Sequence, residues 1–533
     1  MTTLLERLEE GANRGGMVSV LGPFEGSMEQ SALIEEGRAR VGALRAVGVQ
    51  PGHKVAIAAS SSLEFLKSCM TVWYAGATVM PLPVPTTAGL RARSWAKDTS
   101  DLLRRLRVDA FLVNRTHPAV PDASVRVVEY ESLAVGPPVA ADVDADSAAL
   151  IQFTSGTTSR ARPVVITHGT LASYLVAHTA KSHEHAGDDD LLTWLPLYHD
   201  MGLIAHTLIA LTVGMTLTLI DTKLFIEDPR LWLTESSARR STVLGAPNFA
   251  YGLLARWVSK GLRSDLDLSP VRLLGSGGEP IDVRTTREAL RILGGIGLDP
   301  LSFTPAFGLA EATCAATIGT EGLKVDRVDR ERLADGHATV TTDAEGAVEI
   351  ASLGSPLPGL EMKIDGRSGE RQVGEVLLSG PTLMSGYLDD PEATRAALEG
   401  GWLRTGDLGY VVGGELHLVG RAKDTIIVRG QNYFPEDIER IAAAVDGVRP
   451  GRCAAVGVST GETEEIAIMV ETNLTSEEEK SLCREAVTRR VWEETGVSPR
   501  HVIFVTNGTV PKTSSGKLQR ARVRSMVREL VAN

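Results

Sequence analysis

The sequence predicts an α/β protein of at least two domains: a large N-terminal domain of layered sheets and helices with a β-rich subdomain, then a small α+β lid domain. Three observations lead there. At 533 residues the chain exceeds what one hydrophobic core supports. Strand-like and helix-like stretches alternate through 55–113 and 147–220, the pattern of helices covering a mainly parallel sheet. Residues 350–420 then read as all-β, and the chain after them has a pattern of its own. A hydrophobic content of 43% with 23% charged residues is that of a globular protein, and a net charge of −12 argues against nucleic acid or anionic membrane as partner.

Taken in order, the first ten residues read as an acidic amphipathic helix, not a signal peptide. Leu33, Ala39, Val41 and Leu44 mark a helix over 29–47, ended by Gly48. A strand at 55–59, a helix at 61–74 and a strand at 79–84 follow. Residues 87–97 read as a basic loop or helix start, and 120–146, rich in Pro, Ala and Asp, as a surface connection. Strands at 361–364, 375–379 and 415–419 define the all-β region. Beyond them lie a strand at 425–428, a loop at 429–434, helices at 435–445 and 476–494, and strands at 453–458, 465–471 and 501–505. Cys69, Cys314, Cys453 and Cys483 are widely spaced with no metal-ligand pattern, so reduced thiols in a cytoplasmic protein are expected. No apolar run is long enough to span a membrane.

The stretch with the most chemistry is 153–169, Phe-Thr-Ser-Gly-Thr-Thr-Ser-Arg-Ala-Arg-Pro-Val-Val-Ile-Thr-His-Gly. Two apolar runs, 148–153 and 164–166, flank a hydroxyl-rich loop, so a hairpin-like turn between strands is predicted. Thr154, Ser155, Gly156, Thr157 and Thr158 could present hydroxyls and backbone N–H groups to phosphate oxygens. An ordinary Ser/Thr-rich loop has the same composition. A Walker loop is excluded, since no Gly-Lys-Ser/Thr follows.

Further along, His199 in Trp-Leu-Pro-Leu-Tyr-His-Asp-Met-Gly-Leu either lines a substrate pocket or is a satisfied core residue. His183 and His185 around Glu184 read as a solvated turn in preference to a metal site. Residues 273–280 run a strand into glycines (Gly278, then Glu279 and Pro280), where backbone can approach a ring or ribose closely. Phe307 and Gly308 precede Glu311, an aromatic face for a base and a hard oxygen ligand for Mg²⁺; plain packing is the alternative. Asp407, between glycines in a tight turn, is expected to be exposed and able to take vicinal hydroxyls. Gly420-Arg421-Ala-Lys423-Asp424 follows, and Lys517 lies in a polar tail loop.

Together these motifs, in this order over nearly the whole chain, resemble the AMP-forming acyl-activating superfamily. Acyl-CoA synthetases, fatty acyl-AMP ligases, peptide-synthetase adenylation domains and luciferases are its members. The resemblance implies an N-terminal domain over 1–421, a hinge at 422–424 centred on Lys423, and a C-terminal lid over 425–533. It implies that ATP and a carboxylic acid give an acyl-adenylate, which a thiol then attacks. Phe307 would stack on adenine, Glu311 hold Mg²⁺, Asp407 and Arg421 bind ribose, and His199 line the acyl pocket. Lys517 would reach the α-phosphate and carboxylate oxygens, where charge builds up, and Gly430 would line the thiol channel.

Leu-Tyr-His-Asp-Met-Gly-Leu, Ala310 in Gly-Leu-Ala-Glu-Ala-Thr, and a long segment at 321–352 are similar to the fatty acyl-AMP ligase branch, whose insertion disfavours CoA in favour of a carrier protein. One departure stands out. Relatives read Gly and Lys-Gly where this chain has Ser159 and Arg162-Pro163, and proline removes a donor and fixes φ. The expectation is weak or lost ATP-dependent adenylation with thioester formation, from an adenylate supplied by a separate adenylating ligase, retained. The altered loop also resembles acyl-CoA ligases of platensimycin-type diterpenoid pathways, which favours CoA as the thiol. A full acyl-AMP ligase and an adenylate-binding pseudo-enzyme are the alternatives.

Overall fold

The computed structural model describes residues 2–58, 61–84, 90–114, 125–139, 143–154, 162–184, 187–259, 261, 265–343, 346–428, 431–449, 451–459, 464–512 and 517–532. Two large sheets form the N-terminal domain. The first runs Gly386–Tyr387, Pro163–Thr167, Ala148–Phe153, Thr78–Leu82, Lys54–Ala58, Ala110–Val113, Arg126–Glu129. From Ala148–Phe153 to Arg126–Glu129 its pairs are parallel, and Thr78–Leu82 and Ala110–Val113 are buried along their whole length. That burial explains their unbroken apolar runs, because helices cover both faces of a parallel strand.

The second sheet runs from Ser355–Pro356 through Ala315–Ile318, Phe303–Gly308, Leu273–Ser276, Val243–Ala246, Asp190–Thr193 and Thr216–Ile220 to Met17–Leu21 and Gly26–Glu29. A third, antiparallel sheet holds Glu361–Ile364, Gly374–Ser379, Trp402–Val412 and Glu415–Arg421. The smaller C-terminal domain packs Pro435–Ala443, Glu477–Thr495 and Arg520–Ala532 around Cys453–Ser459, Glu464–Glu471 and His501–Val505. Local chemistry sets many ends. Thr3 with Glu6 and Ser476 with Glu479 form capping boxes, and Gly496 closes its helix in the left-handed conformation.

Several expectations change. Residues 120–146 are more than a connection: Arg126–Glu129 is an edge strand, and Tyr130 and Leu133 are buried behind it. The basic stretch from 87 starts a full helix, Leu90–Arg105. The β-rich region contains one helix, Pro391–Ala397, with Asp390 as its cap and proline in its first turn. The loop at 429–434 supplies a strand, Gln431–Tyr433, which pairs with Ile426–Val428. The segment 321–352 folds as the hairpin Val325–Asp329 with Ala347–Ala351, carrying the short helix Arg330–Ala334.

Candidate active site

The hairpin Ala148–Phe153 to Pro163–Thr167 is closed by a rung beyond its paired residues. Thr154 N–H donates to Arg162 O at 3.0 Å, and Arg162 N–H to Thr154 Oγ1 at 3.1 Å. Pro163 sits at the first position of its strand, where a missing N–H is tolerated. Ser155, Gly156, Thr157, Thr158 and Ser159 lie outside the described residues, as does Gly430. The Arg162 guanidinium stacks over the Tyr387 ring at 5.2 Å, and the Tyr387 hydroxyl donates to Glu311 Oε1 at 2.8 Å. Nothing in the sequence spacing marks Tyr387; only the pairing of Gly386–Tyr387 onto the hairpin brings it there.

Phe307 is buried on the strand Phe303–Gly308, where the ladder shifts register. A side chain at Gly308 would run into the Cys314 carbonyl, so glycine alone lets the chain double back there. Beyond the strand Leu273–Ser276, Gly278, Glu279 and Pro280 form the opposite lip of the cleft. Glu279 accepts the Phe249 N–H, and burial pushes its carboxyl up against the pull of that bond and of Lys512 and Lys517.

Asp407 is not the exposed turn residue expected. It lies inside the long strand Trp402–Val412, 5% exposed and directly opposite Arg421 on Glu415–Arg421. The hairpin register pulls it inward. Arg421 Nε meets Asp407 Oδ1 at 2.8 Å, while the buried Oδ2 has no partner among the described residues. Burial raises the Asp407 carboxyl and Arg421 opposes the rise. An orphaned acceptor at a cleft fits a ligand that brings its own hydroxyl donors, as a ribose does.

His199 Nδ1 lies 2.6 Å from Asp200 Oδ1. Burial alone would raise Asp200, but His199 and then Lys517 outweigh it and hold the carboxyl at about 2. Lys517 also acts on Glu279 and Asp407, so three carboxylates feel its charge. Its position follows from Arg520, three residues on, which bonds Glu436 at 2.9 Å and Glu439 at 2.7 Å and stands 3.7 Å from Asp424.

Thr154, His199, Gly278, Glu279, Pro280, Phe307, Gly308, Glu311, Asp407, Arg421, Lys423 and Lys517 thus line one cleft of about 1520 Å³. That exceeds the roughly 300–1,000 Å³ of an ordinary small-molecule pocket, leaving room for a nucleotide and a second group. Glu311 fits a single-carboxylate role toward Mg²⁺, in which substrate phosphates and water complete the shell; no cluster of three or more metal-ligating side chains occurs among the described residues.

A second contact was invisible in the sequence. Arg330, on the inserted hairpin, bonds Asp437 and lies 3.8 Å from Glu494, both in the C-terminal domain. Asn432 Nδ2 donates to Ala334 O of the same insert at 3.3 Å.

Residues 39–388 match the family described as AMP-binding enzyme, and residues 423–529 match the AMP domain described as Disco-interacting protein 2-like. A protein of Mycobacterium tuberculosis (strain ATCC 25618 / H37Rv), named provisionally as ligase Rv1013, is 34% identical over 92% of this chain and 93% of its own length. One from Caulobacter vibrioides (strain NA1000 / CB15N), named provisionally as an acyl-CoA synthetase, is 30% identical over 98% and 94%. Among solved structures, one from a study of fatty acyl-adenylate ligases of E. coli and L. pneumophila superposes with a TM-score of 0.92 at 29% identity, covering 100% of this chain and 99% of that one.

Proposed function

The chain belongs to the AMP-binding enzyme family as an AMP-forming, acyl-activating ligase similar to fatty acyl-AMP ligases, and we propose that it holds an acyl-adenylate and passes the acyl group to a thiol. The observation that carries this reading is the orphaned Asp407 Oδ2 beside Arg421, within the field of Lys517. Asp407 and Arg421 hold the ribose, with Phe307 against the adenine. His199 lines the acyl side, and Lys517 neutralises oxygens on the phosphate and carboxyl as their bond polarises. Glu311 would hold Mg²⁺, which supplies charge neutralisation for a triphosphate. In the transfer, sulfur bonds the acyl carbon, the acyl–phosphate C–O bond breaks, AMP leaves, and the thiol proton goes to solvent.

The ATP-dependent half is weak in this proposal. Arg162 stands where relatives place a lysine and is engaged with Tyr387, and Pro163 offers no N–H. CoA is the acceptor, and a partner ligase supplies the adenylate. The test is product mass after incubation with CoA and either ATP plus acid or preformed acyl-adenylate. Thioester from the adenylate and little from ATP is expected. The combined change Ser159→Gly, Arg162→Lys, Pro163→Gly should raise pyrophosphate release at least tenfold. Robust pyrophosphate release by the unaltered protein would defeat this half of the proposal.

The inserted hairpin favours a second reading: a full acyl-AMP ligase serving a carrier protein. Arg330 ties the insert to Asp437 and Glu494, and any swing of the C-terminal domain that admits CoA must break this tie. On this reading Arg330→Ala raises CoA thioester formation severalfold while adenylate formation is unchanged, measured by mass spectrometry of both products.

A further inference from the structure

Building on the acyl-adenylate reading, we propose that the acyl group carries a hydroxyl remote from its carboxylate, held between His206 and Glu184 at the far end of the acyl pocket. An inner pocket of about 80 Å³ leaves the main cleft beside Lys517, His199 and Phe307 and ends at His178, Glu184 and His206. So narrow a space brings whatever enters it against its walls. An alkyl chain would call for apolar walls there, yet this end is polar and buried. His178 is 9% exposed, Ser182 and His206 7%, and Glu184 5%, so the expected solvated turn around Glu184 is not what forms.

Among the described residues, His206 Nε2, Glu184 Oε1 and His178 Nε2 carry no hydrogen bond. Ser182 Oγ lies 2.8 Å from both Glu184 Oε2 and the His178 carbonyl oxygen, with one proton to share between them, and His178 Nδ1 lies 3.3 Å from Glu184 Oε2. No described residue bonds Glu184 Oε1. Thr193, fully buried, accepts the Leu195 N–H at 3.2 Å and lies 2.8 Å from His206 Nδ1. The Thr193 proton has no other acceptor among the described residues, so Thr193 donates to Nδ1 and the ring carries its own proton on Nε2. Burial keeps this imidazole neutral, with its pKa held down at about 4 although Glu184 pulls upward.

The sheet makes room for that nitrogen. A side chain at Gly245 would come within 2.6 Å of His206 Nε2, and Gly275 stands in register on the next strand. His206, Glu184 and His178 also act on one another electrostatically, which places them in one group. A hydroxyl meets both His206 and Glu184, accepting from His206 Nε2–H and donating to Glu184 Oε1. A carbonyl meets only the first, and a methylene leaves both unpaired in a dry site.

The test uses nonhydrolysable acyl-sulfamoyl adenosines made from matched acids, with and without a hydroxyl at successive chain positions, bound to the full chain and read by calorimetry. At least one hydroxylated compound should bind about tenfold tighter than its parent, the worth of a buried hydrogen bond. His206→Phe and Glu184→Gln should each erase that preference while the parent compound still binds. If His206→Phe does not fold, Thr193→Val removes only the donor to Nδ1 and should narrow the preference. Binding of parents with no hydroxylated compound favoured, or a preference that survives both changes, overturns the inference and leaves the adenylate reading standing. Binding of no compound at all overturns both.

Discussion

Two arginine–carboxylate clusters border the same cleft and differ in how many carboxylates the arginine holds. Arg421 faces one, Asp407, whose buried Oδ2 has no donor among the described residues. Arg520 gathers three, Glu436, Glu439 and Asp424, with its own side chain 9% exposed. In the second cluster the guanidinium spends its donors on the protein, joining the tail helix to Pro435–Ala443 and to the segment at 424. In the first, the guanidinium holds a single carboxylate. Buried acceptors with no partner among the described residues occur in both, Asp407 Oδ2 in the first and Asp424 Oδ2 and Glu436 Oε2 in the second. Burying an ion pair does little for stability by itself; what makes the second cluster a clamp is that its guanidinium ties three segments of the chain together.

The comparison fails if removing either arginine partner has the same consequence. The largest effect is expected at the clamp. Arg520→Ala leaves buried Glu439 unpaired and should cost about 3–5 kcal/mol, seen as early unfolding of the C-terminal domain in thermal melts. Burial already raises the Glu439 carboxyl and Arg520 opposes this. Folded Glu439 therefore binds its proton more readily than unfolded, and the variant should regain part of its loss as pH falls. At the other cluster, Asp407→Asn should weaken an adenylate analogue about 10- to 100-fold, the loss expected for charge-assisted bonds to a diol. It should also abolish discrimination against 2′,3′-dideoxy analogues, with little change in melting temperature.

Asp200 sharpens the contrast as a carboxylate that serves both ends. Its pKa is held at about 2 against an ordinary 3.8. A depressed acid stabilises the fold above the ordinary value and loses that contribution as pH falls from 3.8 toward 2. The contribution is about 2 kcal/mol. Asp200→Asn should flatten acid denaturation by that amount between pH 5 and pH 2, the smallest effect of the three.

Much of the architecture was legible where one period or one cap decided it. The strand at 148–153 and the strand at 501–505 fall where their apolar runs put them. Cleft residues on glycine-rich strand ends were legible too, because close backbone approach leaves a compositional mark. What stayed hidden depends on partners distant in sequence. Asp407 reads as a turn residue until the strand at 415–421 pairs with it and buries it. Glu184 reads as solvated until the helix His168–Ser182 brings His178 and Ser182 against it. Met201–Leu208 winds as a π-helix, a local widening with no periodic signature in eight residues. Arg330 looks like any surface arginine until a second domain lies against it.

The closed rung between Thr154 and Arg162 has a consequence for how this enzyme could be altered. Both ends of the phosphate-loop sequence are fastened to one another by main-chain and hydroxyl bonds, on a hairpin whose strands are fixed by the sheet beneath. Whatever sequence joins Thr154 to Arg162 must therefore start and finish at one fixed pair of posts, so a relative's stretch of equal length can be grafted there with both anchoring bonds kept.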